Sequence, residues 1–215
     1  MPLHKLFWGI LIFFVACQSK PEVEPEPFRV IGYFSGPTSM VDSFEVEKLT
    51  HIIFCFGHLK GNRLDIGSAQ DSATIRQMVG LKKRNPQLKV MLSLGGWTGC
   101  EPCSDVFNTD TGRKEFAASL KELSDYFGTD GFDLDWEYPV IPGPPGHPYK
   151  DADKPNVTLL MKDICEACGP DFETSIAAGG FTAFIEKALD WTEVMKYTDF
   201  INLMTYDLIH GYSRI

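Results

Sequence analysis

Asp130-Gly131-Phe132-Asp133-Leu134-Asp135-Trp136-Glu137-Tyr138-Pro139 places four carboxylates and three aromatic rings within ten residues. With a period of two, Asp133, Asp135 and Glu137 project to one face of a strand and Phe132, Leu134 and Trp136 to the other. One face is apolar and packs; the other lines up three acids. Like charges this close oppose joint ionisation, so at least one is expected to hold a proton near neutral pH. Perturbed carboxylates cluster at functional sites. A cation-binding strand, a salt-bridged strand or acids facing water would read the same way over these residues alone.

Outward from this stretch, short apolar runs alternate with amphipathic ones from Phe28 onward, the rhythm of βα units on a parallel sheet. Strands are predicted over Phe28–Phe34, His51–Phe56 (ended by Gly57), Lys89–Leu94, Gly131–Trp136, Glu173–Ala178 and Phe200–Thr205. Helices are predicted between them. One carries Ile75, Met78, Val79 and Lys82 on a face; another runs from Thr109 to Phe127 with Gly128 past its end. Two more cover Asn156–Ala167 and Thr182–Tyr197, the second broken near Asp190. A Pro/Gly-rich loop separates Pro139 from Pro148. These are about six units of a (β/α)8 TIM barrel, which needs eight units and typically ~250 residues, so residues 28–215 read as a barrel domain truncated at its C-terminus. An open doubly wound sheet is the fallback.

In such barrels the active site gathers at the C-terminal ends of the strands, where Tyr33, Ser93-Leu94-Gly95-Gly96-Trp97, Asp133 to Tyr138 and Met204 to Asp207 all fall. Asp-x-x-Asp-x-Asp-x-Glu followed by Tyr-Pro, at Asp130, Asp133, Asp135, Glu137, Tyr138 and Pro139, resembles the signature of the family-18 glycoside hydrolases, the chitinase family. Ser93-x-Gly95-Gly96 and Met204-x-Tyr206-Asp207 resemble two further motifs in the family's order, and Asp153-Lys154-Pro155-Asn156 is similar to a bacterial chitinase segment. The resemblance covers nearly all of Phe28 to Asp207. It implies a substrate-assisted retaining hydrolysis of β-1,4-N-acetylglucosamine linkages, an exception to the two-carboxylate scheme. Glu137 would be general acid and then base. Asp135 would orient and stabilise the substrate's N-acetyl group, and Asp133 would share a hydrogen bond with it. Tyr206 would donate to the acetamido oxygen. Asp207, Met204, Tyr33, Tyr138 and the stacking platform Trp97 would bind sugar. Asp130 reads instead as a brace at the turn into its strand. The partner implied is chitin or its oligosaccharides, and neither a metal nor an organic cofactor is called for.

The remaining composition sets bounds. The chain has 215 residues, 44% of them hydrophobic, and a formal charge of −9, which argues against nucleic acid as a partner. Residues 1–16 read as a secretory signal, with the apolar run Leu6–Ala16 too short for an ordinary membrane span. Phe14-Val15-Ala16-Cys17 resembles a bacterial lipoprotein box, so Cys17 is a candidate for lipid attachment; ordinary cleavage and secretion is the alternative. Residues 17–27 read as a Pro/Glu-rich tether. Cys55, between two phenylalanines, reads as a buried small hydrophobe. Cys100-x-x-Cys103 and Cys165-x-x-Cys168 are candidates for short disulfides or thiols; a shared zinc is the alternative, though the gap between the pairs exceeds the usual one. His58, His147 and His210 read as loop residues. Two other functions remain open: an endo-β-N-acetylglucosaminidase, and a non-catalytic sugar binder or inactive fragment. The retained Glu137 counts against a pure binder; the family's strand-eight tryptophan is not among these residues.

Overall fold

The computed structural model describes residues 28–208; the expected signal segment and tether, Cys17 and His210 lie outside them. Seven strands form: β1 Ile31–Phe34, β2 His51–Lys60, β3 Arg63–Asp65, β4 Lys89–Gly95, β5 Gly131–Asp135, β6 Glu173–Gly179 and β7 Phe200–Met204. Six of them make a parallel sheet in the order β1-β2-β4-β5-β6-β7, with β3 attached antiparallel to β2. The helices are α1 Ala69–Gly80, α2 Cys103–Val106, α3 Asp110–Phe127, α4 Asp153–Cys168 and α5 Trp191–Val194. The result is an incomplete (β/α)8 barrel whose outer parallel strands, among the described residues, are β1 and β7.

The curved sheet has two cores. On its outer face Phe132, Leu134 and Trp136 meet Phe116 and Phe107, with ring centroids 5.5–5.8 Å apart for Phe116–Phe132 and Phe107–Trp136. Inside, Ile53, Met91 and Phe200 form a smaller apolar layer with Ile31 and Cys55. Both faces of β5 are therefore buried, and its acids look into the barrel rather than into water.

Helix α3 forms where its local signals are complete. Thr109 caps it by accepting the Gly112 N–H at 2.9 Å, and Gly128 ends it in the left-handed region at φ 77°. Strand entries are clamped by polar residues. Val30 N–H donates to Thr50 Oγ1, Val90 N–H to Asp130 Oδ2 and Thr174 N–H to Asp199 Oδ2, at 2.7–2.8 Å. Asp130 thus acts as the brace expected of it, held in turn by Lys82 Nζ at 2.8 Å.

Several boundaries differ from the sequence reading. Strand β1 starts three residues later than Phe28. Strand β2 runs past Gly57 to Lys60, because His58–Lys60 pair with β3. Gly57 is a site of close approach, not a terminator: a Cβ there would lie 2.8 Å from Leu64 Cδ1. Helix α4 begins at Asp153, since Pro155 falls in the first turn, where its missing N–H costs nothing. The segment after β6 does break where expected: Asp190 caps α5 by accepting the Glu193 N–H at 3.2 Å. Residues Phe184–Ala188 before it take a π-helical turn.

Gly95 joins this framework to the site. Its φ is 125°, and a Cβ would sit 2.0 Å from the Asp135 carbonyl oxygen, so only glycine lets β4 and β5 close at this level. Gly95→Ala should cost about 3 kcal/mol or more and lower the melting temperature by ~6–12 °C. Gly61→Ala, also at positive φ but with nothing within 4 Å, should cost about 1 kcal/mol. Thermal unfolding of the two variants checks the contrast.

Candidate active site

Asp133 and Asp135 lie on the inward face of β5, two residues and one interior layer apart. In register, Asp133 stands between Ser93 of β4 and Ser175 of β6, and Asp135 beside Gly95. Asp133 has no solvent exposure. Its Oδ2 accepts from Ser93 Oγ (2.8 Å) and Tyr33 Oη (3.1 Å), and its Oδ1 from Ser175 Oγ (2.6 Å) and Asn202 Nδ2 (3.3 Å). Asn202 also donates to Tyr33 Oη at 2.9 Å, joining β7 to β1 across the barrel interior. Burial pushes the Asp133 carboxyl up, and the four donors pull the other way.

That arrangement replaces the expected hydrogen bond between Asp133 and Asp135. Both oxygens of Asp133 are already occupied, while Asp135 Oδ1 is buried with no partner among the described residues. Asp135 is pushed up to about 8, first by burial, then by the charges of Glu137 and Asp133. At neutral pH it holds a proton. Glu137, past the end of the strand and half-buried, is also raised, first by burial; the Tyr138 hydroxyl counteracts and the Asp207 charge adds to the rise. Trp97 lies beside the Tyr138 hydroxyl.

Of the sequence-derived residues, Tyr33, Asp135, Met204 and Tyr206 line one cavity, whereas Trp97, Glu137, Tyr138 and Asp207 are not among its lining residues. An open cavity of about 450 Å3 is lined by Tyr33, Asp135, Asn202, Met204 and Tyr206, among others. Tyr206 is 64% exposed and Trp97 65%, so each offers a ring face to solvent at the rim. Burial raises the Tyr206 phenol, and the charges of Asp135, Glu137 and Asp207 add to the rise. Asp207 takes φ 54°, a left-handed conformation outside glycine's usual monopoly.

Two contributors were missed. Ser175 and Asn202 hold the central carboxylate, but a serine and an asparagine inside apolar strands carry no sequence signal for it. Cys55, expected as a buried small hydrophobe, packs on the Ile53–Met91–Phe200 layer but is only half-buried and also lines the cavity, its thiol raised by burial and by Asp133 and Asp135. Of the two Cys pairs, Cys100 and Cys103 form a disulfide directly after Trp97, whereas Cys165 and Cys168 are thiols. Among the described residues no three His, Cys, Asp or Glu side chains are grouped to hold a metal. His147 lies in its expected loop but is buried, with neither ring nitrogen partnered among the described residues.

Comparison with known proteins agrees with this geometry. Residues 29–214 match the model of the glycosyl hydrolases family 18. Chitinase A1 of Niallia circulans is 35% identical over 151 residues, 67% of this chain and 22% of its own length. Chitotriosidase-1 of Mus musculus is 31% identical over 167 residues, 74% of this chain and 35% of its own. The chain therefore spans well under half of each of these curated relatives. A solved glycoside hydrolase family 18 N-acetylglucosaminidase from Paenibacillus barengoltzii superposes with TM-score 0.76 at 34% identity, over 86% of this chain and 56% of that one.

The raised Asp135 has a signed consequence. The unfolded chain ionises Asp135 near pH 3.9 and the folded one near 8, so this group destabilises the fold progressively between those values and no further above. The stability of Asp135→Asn relative to wild type should therefore rise from pH 4 to 8, by a few kcal/mol in all, and then level. Thermal unfolding across pH tests it; parallel curves would refute it.

Proposed function

The chain belongs to the glycosyl hydrolases family 18, and on that premise we propose that it carries the acid half of a chitinase site, cleaving β-1,4-N-acetylglucosamine linkages with retention. The supporting observation is the Asp135–Glu137 pair, in which Asp135 lines the cavity and Glu137 follows two residues on, past the strand end. Asp135 has a buried oxygen without a partner among the described residues, and Glu137 beside it has its proton affinity raised.

A general acid acting near neutral pH needs a carboxyl that still holds its proton there, which burial and neighbouring charge favour at Glu137. Glu137 would protonate the glycosidic oxygen as the C1–O bond breaks, while the substrate's acetamido carbonyl oxygen bonds to C1. Asp135 would accept the acetamido N–H through its unprotonated oxygen and so orient the acetamido group, taking up the contact that its Oδ1 lacks. Tyr206 would donate to the acetamido oxygen. Glu137, now ionised, would then take a proton from the water that opens the ring intermediate at C1. Asp133 would act from behind, its charge fixed by Tyr33, Ser93, Ser175 and Asn202. Trp97 would stack on a sugar, and Met204, Asp207, Tyr33 and Tyr138 would line the subsite. In the same reading residues 1–16 direct export and Cys17 takes a lipid.

The N-acetylglucosaminidase name of one solved relative supports a second reading, in which single N-acetylglucosamine units are released. Chitobiose as the first product of chitopentaose favours the chitinase, and the monosaccharide favours the second.

In the full-length protein, Glu137→Gln should lower hydrolysis by about 10^3-fold while chito-oligosaccharide affinity stays within a few-fold, because shape is kept and the proton donor is lost. An unchanged rate removes Glu137 from its role. NMR of the first product should show the β anomer; an initial α anomer excludes substrate assistance.

A further inference from the structure

Asp153, the first residue of α4, is a carboxylate without solvent exposure that lies outside the cavity. Its Oδ1 accepts from Ser104 Oγ at 2.8 Å, and its Oδ2 from Lys150 N–H at 2.7 Å and Val140 N–H at 3.3 Å. The Lys150 contact is local. Asp153 N–H returns to the Lys150 carbonyl at 2.9 Å, a reciprocal pair that helps begin the helix. The other two contacts do no such work.

Ser104 is 49 residues away in sequence, in α2. It directly follows the Cys100–Cys103 disulfide and so anchors the loop that carries Trp97. Val140 is three residues past Glu137 and has φ 68°. A β-branched residue avoids that region, and holding one there costs about 1–3 kcal/mol. Such a conformation persists only where the surroundings enforce it. The Val140 N–H is the group that Asp153 takes. An exposed ion pair between Lys150 and Asp105 runs beside this tie.

We propose that Asp153 is a positioning residue for the sugar site: it locks the turn bearing Glu137 and Tyr138 to the loop bearing Trp97, so that acid and stacking platform keep a fixed spacing. The proposal rests on the glycosidase reading for its kinetic consequence but not for its structural one. Three donors, two from the loop before α4 and one from α2, share one dry carboxylate, so removing it leaves all three unsatisfied and frees the strained turn. Displacement of a catalytic group by about 1 Å can cost 10^2-fold in rate.

The test uses the full-length protein and three variants. Asp153→Ala should lower kcat/KM for chito-oligosaccharides about 10- to 100-fold. Asp153→Asn should recover to within about threefold, since its amide oxygen can take the two N–H groups and its NH2 can donate to the Ser104 hydroxyl. Ser104→Ala, which cuts only the Trp97 side, should raise KM about fivefold with kcat kept. Amide hydrogen exchange, read without substrate, should speed up at least about tenfold over residues 97–104 and 138–150 in Asp153→Ala, with β4 and β5 unchanged. A merely structural role would lower the melting temperature and leave KM alone. Unchanged exchange in both segments, or wild-type kcat/KM in Asp153→Ala, overturns the proposal. Should that variant not fold, an unchanged KM in Ser104→Ala overturns it. Wild-type protein that cuts no chito-oligosaccharide fails the glycosidase reading alone, and the exchange measurement still decides the role of Asp153.

Discussion

A carboxylate sealed from solvent organises the interior of this half-barrel. Moving an ionised group from water to such a place costs several kcal/mol even after relaxation, and the cost is met only by donors placed around both oxygens. Asp133 draws its donors from four strands: Tyr33 of β1, Ser93 of β4, Ser175 of β6 and Asn202 of β7. Each bond to a charged acceptor is worth about 1.5–3 kcal/mol. Four of them require four strands to hold their registers, since a slip of one residue would turn the donor out of the barrel. The Tyr33–Asn202 bond is the most demanding, because it joins the first and last described parallel strands, which share no ladder.

The same carboxylate sets the chemistry of the layer above. Its charge, stabilised by four donors, is one of the reasons Asp135 holds a proton. Asp135 differs from Asp133 in that its Oδ1 is buried without a partner among the described residues. Burial raises both aspartates of this strand face, but at Asp133 four donors work against that rise, whereas at Asp135 the charges of Glu137 and Asp133 add to it. Gly95 is part of this arrangement. Only without a Cβ can β4 approach the Asp135 carbonyl closely enough for Gly96 N–H to donate to it at 3.0 Å.

The legible parts of the fold were those with local signals. Helix α3 announced both ends through Thr109 and Gly128, and its apolar spacing fixed its face. The alternation at Phe132–Trp136 separated the two sides of β5, and the strand ends picked out Trp97, Tyr206 and Asp207. What escaped was set by contacts between distant segments. Gly57 reads as a stop in sequence, yet it sits mid-strand because the β2–β3 hairpin folds tightly over it. Ser175 and Asn202 became visible only when the register placed them against Asp133. A hydrogen bond between Asp133 and Asp135 was a reasonable expectation for neighbouring acids, but four competing donors claimed the inner one first.

The loops above the strands obey the same logic as the strands. In β5 the polar layer is held by side chains from neighbouring strands; beyond its end the chain has no ladder to hold it, and Val140 adopts a conformation its own side chain disfavours. A second buried carboxylate, Asp153, takes over at that point and binds backbone N–H groups instead of hydroxyls. Glu137 lies between these two anchors, four residues after Asp133 and three before Val140. Its partial exposure admits a ligand, while the chain on either side is fixed by acceptors that water cannot reach. A site so placed is rigid in backbone and open in side chain, the condition under which a carboxyl can be both preorganised and reactive.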